Sequence, residues 1–158
     1  ISLTTSGTVT LPLTPSPSGA VTIDKDVVSV ITNSGGGYTL RLESVSGTSN
    51  NLVNGGEDIP AISATPGSPG TLGLNEWGYR IDGTLGFGPG PTSTITNQPS
   101  SSLTFAGVPL LGSPQNIKVT ASSSPSGDIT DVWYGVRADI SKPAGNYSST
   151  VTYTAVLN

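Results

Sequence analysis

In no segment of this 158-residue chain do apolar residues keep a period of three to four; where they are periodic, they alternate. Glycine (21) and proline (13) break the alternating runs at short intervals, which leaves no room for a helix of ordinary length. The pattern predicts an all-β protein, an antiparallel β-sandwich of Ig-like or jelly-roll kind with about eight to ten short strands. A chain of this length makes one domain and can bury a real core.

The first run is the most distinctive. Ile1, Leu3, Val9, Leu11 and Leu13 share one parity, with mostly serine and threonine between them and a weak middle at Thr5 and Gly7. Thr14-Pro15-Ser16-Pro17-Ser18-Gly19 stops this strand, because alternate prolines cannot donate ladder bonds and favour a stiff connector. Residues 1–19 are therefore read as an extension strand with its connector, and residues 20–158 as the sandwich. Within 20–32 the apolar parity slips from Val21 and Ile23 to Val28 and Val30 around Asp24-Lys25-Asp26, predicting a bulge, a short turn or two strands. Tyr38–Leu42 reads as a hairpin partner across the Asn33–Gly37 turn. Further strands carry Trp77, Tyr79 and Ile81, then Val132, Tyr134, Val136 and Ala138, then Val151, Tyr153, Ala155 and Leu157. Residues 83–102 read as a long loop.

Absent residue types exclude much chemistry. Without histidine or cysteine there is no imidazole base, thiolate nucleophile, ordinary zinc site or disulfide. Only six residues are basic, too few to displace the counterions of a nucleic acid, and no apolar stretch approaches a membrane span. The acidic pairs Asp24/Asp26, Glu57/Asp58 and Asp128/Asp131 do not match a calcium loop, with Gly127–Asp131 the nearest approach. Glu43, Glu57 and Glu76 show no spacing that would converge on a cleft. No metal, cofactor or catalytic residue is assigned, and no enzymatic activity is expected. The chain also lacks methionine, so Ile1 is not expected to be a translation start; the chain reads as a processed product or an excised fragment, and removal of an export signal, with an extracellular or cell-surface location, is the expectation.

Four features remain as candidates. The strand at residues 1–13 carries no charge, the first charged residue being Asp24, although exposed edges usually carry charges against unwanted pairing. It can fold back onto its own sheet or add to a neighbour's, with Ile1, Leu3, Val9, Leu11 and Leu13 as the inserted side chains. Trp133 and Tyr134 are adjacent on a strand, so one ring is expected to face outward as a candidate glycan contact. Lys25, Lys118 and Lys142 are the candidates for an isopeptide crosslink to Asn or Asp. Asn146-Tyr147-Ser148 is the one acceptor pattern for N-linked sugar, with Asn146 as its site.

The segments Asp131–Asp139, Ser141–Tyr147 and Val151–Ala155, together with Gly37-Tyr38-Thr39-Leu40 and Glu76-Trp77-Gly78-Tyr79, carry a resemblance over residues 20–158. They resemble Ser/Thr-rich exported β-sandwich surface proteins of bacteria, including ultrasmall candidate-phylum bacteria; here serine and threonine number 44. The resemblance implies export and surface display and supplies no catalytic residues. In organisation the chain is also similar to pilins and matrix-fibre subunits that donate an N-terminal strand. The expectation is a structural subunit of an extracellular filament or pilus, a fimbrium-like head-to-tail homopolymer assembled by donor-strand exchange. The alternative is a carbohydrate-binding or adhesive module that takes surface glycans as partners.

Overall fold

The computed structural model describes all 158 residues, and the chain is all-β with antiparallel sheets. Twelve strands form: β1 (Ser2–Thr4), β2 (Ala20–Thr32), β3 (Tyr38–Ser44), β4 (Leu52–Asn54), β5 (Glu57–Ile59), β6 (Gly70–Thr71), β7 (Glu76–Ile81), β8 (Ile95–Gln98), β9 (Thr104–Phe105), β10 (Gln115–Val119), β11 (Ser124–Ala138) and β12 (Val151–Leu157). The larger sheet runs β1-β2-β11-β7, with β8 also on β2, and the smaller runs β10-β3-β12. Two-stranded ladders β4-β5 and β6-β9 decorate them. No helix of the chain is long and apolar enough to cross a membrane.

The inner core lies between the two sheets. Val28 and Val30 of β2, Trp77, Tyr79 and Ile81 of β7, and Val132, Tyr134 and Val136 of β11 face Tyr38, Leu40 and Leu42 of β3. Each such side chain, once removed from water, contributes about 1.5–3 kcal/mol. The larger sheet has a second apolar layer on its other face, where Val21 and Ile23 pack with Ile62, Leu72, Phe105 and Trp133. This layer explains the parity slip in residues 20–32 without a bulge, a turn or a break. Strand β2 is continuous and stays in register with β11 through Asp24, Lys25 and Asp26, and its apolar side chains change from one buried face to the other. The expectation of a long loop over 83–102 is corrected too, since β8 lies inside it and pairs with β2 at Val21 and Ile23.

The second layer sits close on the sheet because two glycines face each other across the strands. Gly78 and Gly135 are cross-strand partners. A Cβ on Gly135 would come within 2.6 Å of the Phe105 ring, and one on Gly78 within 2.6 Å of the Ala106 carbonyl.

The β7 side of the sandwich is sealed. Trp77 donates its N–H to Pro60 O (3.1 Å) and accepts from Ile62 N–H (2.8 Å), while Tyr79 and Ala106 exchange two bonds of 2.9 Å. Arg80, with no exposed surface, stitches the adjoining loop. Its Nε donates to Asp82 Oδ1 at 2.9 Å, its Nη1 to Thr104 O, and its Nη2 to the carbonyls of Phe87, Gly88 and Pro89. A buried charge persists only when its donors are matched in this way.

Candidate functional site

The opposite side of the sandwich is open. There β1 forms the edge of the larger sheet and β12 the edge of the smaller, and between them runs a groove of about 1070 Å³. Trp77, Tyr134 and Val136 lie at its base, residues 3–15 along one wall, and residues 142–153 along the other. Leu3, Val9, Leu11 and Leu13 are half-buried and pack against the inner core, while Thr8, Thr10 and Pro12 are exposed. These four side chains therefore share one inward face, whereas Ile1, at the end of the segment, is 54% exposed.

In the single chain residues 1–18 run back along β2, but only Ser2–Thr4 form a strand, opposite Ile31, Val30 and Ser29. Continuing that register would set Thr10 opposite Ile23 and Pro12 opposite Val21. Those places on β2 are taken by Ile95 and Gln98 of β8, and Pro12 has no N–H to offer. Displaced from the sheet edge, residues 7–13 make no bond from main chain to main chain. Gly7 N–H donates to Thr5 Oγ1, and Pro12 O accepts from Thr22 Oγ1.

Two points hold this length of chain. At its start Ser6 donates from N–H to Val27 O (3.1 Å) and Asp26 Oδ1 (2.8 Å) and from Oγ to Asp26 Oδ1 (2.7 Å), while accepting from Val27 N–H (2.9 Å). At its end Thr14 N–H donates to Asn97 Oδ1 at 2.6 Å, Gly19 N–H closes a turn on Ser16 O, and Arg137 Nη2 donates to Ser18 O. Neither Ser6 nor β8 is marked by any alternation or spacing in the sequence.

The base of the groove is aromatic with a small polar cluster. Trp77 stacks on Tyr134 at 6.3 Å between ring centres and donates Nε1–H to Asn50 O. The Tyr134 and Tyr153 hydroxyls share a hydrogen bond of 2.6 Å beside the buried carboxylate of Asp26. Burial pushes both phenols well above their ordinary value of 10. For Tyr153 the Tyr134 hydroxyl and then the Asp26 charge raise it further; for Tyr134 the shared hydrogen bond lowers it, against the charges of Asp26 and Tyr79. Both are neutral hydrogen-bonding groups over the whole physiological range.

The other candidates are placed as follows. The outward ring expected from Trp133 and Tyr134 does not exist, since both are buried, at 2% and 6% exposure. The sheet is covered on both faces, so Tyr134 enters the inner core and Trp133 the outer layer, under Lys25 at 5.2 Å. Lys25 pairs with Asp131 and Lys118 with Asp128, each at 2.5 Å, and Lys142 approaches Glu57 at 4.0 Å. The Asp128 and Asp131 carboxylates thus go to different lysines, and Asp128 also accepts from Tyr38 OH. Asn146 is exposed on the outer wall of the groove. Comparisons with protein-family models, with curated proteins and with solved structures found no match to this chain.

Proposed function

We propose that the chain is the repeating structural subunit of an extracellular filament or pilus. Residues 1–13 leave their own groove and enter the groove of the next copy, a contact that does not close on itself and so propagates. One observation carries the reading: an uncharged segment with four inward apolar side chains lies across an open groove, and its residues 7–13 make no bond from main chain to main chain. Its side-chain contacts can be made by a second copy as well as by its own. Self-pairing in the single chain is the resting form of the same contact. With Trp133 and Tyr134 buried, a carbohydrate-binding role has no aromatic platform there.

The chain has no cysteine, which permits a clean test. Thr4 and Ser29 are cross-strand partners on the rim, and a Thr4→Cys, Ser29→Cys pair falls in the range that a disulfide spans. Oxidised, this variant should stay monomeric; reduced, it should form filaments visible in negative stain. Filaments from the oxidised monomer would overturn the reading. Leu11→Asp gives a second arm: its sandwich should form and its filaments should not.

A further inference from the structure

Exchange of a segment between identical copies replaces each contact with its equal, so it supplies little drive by itself. The missing drive is visible on β12. Val45 N–H bonds to Thr150 O and Asn158 N–H to Gly37 O, which fixes the even-numbered residues of β12 as those bonded to β3. The N–H and C=O groups of Val151, Tyr153, Ala155 and Leu157 therefore point the other way, where no strand pairs with them. This edge is seven residues long, without charge, proline or bulge. Edges of that kind are templates for an added strand, and folded proteins usually blunt them.

The structure points to the occupant. Residues 7–13 of the chain are uncharged, alternating and without bonds to other main chain, and across the groove they face residues 142–153, which include Val151 and Tyr153 of the β12 edge. They run opposite to β12, because β1 is antiparallel to β2, the Asn33–Gly37 turn reverses β2 into β3, and β3 is antiparallel to β12. In the single chain they cannot cross the groove. The bonds of Thr14 to Asn97 and of Ser18 to Arg137, with the turn at Ser16–Gly19, keep the connector on the β2 side. A segment arriving from another copy has no such tether.

We propose that residues 7–13 of a second copy form an antiparallel ladder with the open edge of β12, converting the three-stranded sheet to four strands. The inference rests on the exchange reading and adds the acceptor strand and the source of the driving force. Val9, Leu11 and Leu13 then point into the inner core from a bonded strand instead of a loose one. Gly7, whose φ is +97° with open space around it, is where the incoming chain turns from the β2 edge toward β12.

The test uses the polarity of β12. Val151→Pro removes an N–H that faces the open edge where β12 lines the groove, a place where an edge strand accepts proline, and leaves the ladder to β3 intact. Its monomer should melt close to the parent and should lose filament formation, while reduced Thr4→Cys, Ser29→Cys still assembles. In the parent protein, hydrogen exchange at Val151 and Tyr153 should slow by at least about tenfold on assembly, whereas Thr152 and Thr154 are already slow in the monomer. Filaments from Val151→Pro, or exchange at Val151 and Tyr153 unchanged by assembly, would overturn the β12 ladder and leave exchange itself standing. Should Val151→Pro fail to fold, the exchange rates decide alone. Absence of any filament from the parent would sink both.

Discussion

The two sides of this sandwich solve the same problem in opposite ways. At β7 the edge groups of Trp77 and Tyr79 are bonded to Pro60, Ile62 and Ala106, and a buried arginine ties down the loop beyond. At β1 and β12 the edges share no ladder, and the chain that lies between them is anchored at Ser6 and Thr14, with one bond from the Thr22 hydroxyl to Pro12 O between. Both sides belong to one core, so the contrast is not between folded and unfolded regions. It separates a side whose polar backbone is satisfied internally from one whose backbone still has bonds to make. In a protein with few charges to protect an edge, the second condition is a liability unless something is meant to pair there.

The largest effect should come from alkali, which attacks both sides through their tyrosines. Tyr38, Tyr79, Tyr134 and Tyr153 all have folded-state values above the ordinary 10, with burial the leading cause in each. A group whose value is raised on folding contributes its stability fully below the unfolded value, and that contribution is lost as pH rises beyond it. The protein should therefore hold to about pH 10 and then unfold in one step, with tyrosinate absorbance and loss of β-sheet circular dichroism rising together. Gradual tyrosine titration with the circular dichroism unchanged would show that the groove admits water more freely than its burial implies.

The next effect belongs to the closed side. Arg80→Ala removes the charge that faces Asp82 and leaves the carbonyls of Phe87, Gly88, Pro89 and Thr104 without their donor. Breaking a buried pair by deleting one partner costs about 3–5 kcal/mol. For a chain of this size that lowers the melting temperature by roughly 6–20 °C, at about 2–4 °C per kcal/mol. A fall of only a degree or two would mean that the β7 seal holds without its arginine.

Legibility in the sequence follows the same division. Alternation revealed the strands whose large apolar residues all face the inner core, such as Trp77/Tyr79/Ile81 and Val151/Tyr153/Ala155, because apolar residues confined to one face recur with a period of two. It misread β2 and the Trp133-Tyr134 pair, where both faces of the larger sheet are covered and the parity rule has no outward side to report. β8 escaped notice because Ile95–Gln98 has one half-buried residue and three exposed ones, so its pairing leaves almost no hydrophobic trace. In the open groove, Leu3, Val9, Leu11 and Leu13 stood out by parity, and the structure packs all four against the core. The Arg80 staple and the Ser6 anchor rest on single polar residues whose partners are distant in sequence, and no local pattern announces them.

The smallest effect is the most specific to the open side. Ser6 is the one residue that pins the start of the unbonded segment, and its Oγ is the acceptor of the Val27 N–H. Ser6→Ala keeps the main-chain bond to Val27 O but removes the hydroxyl, with a net loss of about 0.5–1.5 kcal/mol. The melting temperature should fall by roughly 1–6 °C, less than for Arg80→Ala. The local signature matters more: hydrogen exchange at the Val27 amide should accelerate while that of Tyr79, on the sealed edge, stays as it was. Because the same hydroxyl would be missing in the exchanged state too, the variant should assemble faster without assembling more completely. A Val27 amide as slow in Ser6→Ala as in the parent would mean that residues 7–13 are held by their apolar side chains, and that the open side is latched by packing rather than by one serine.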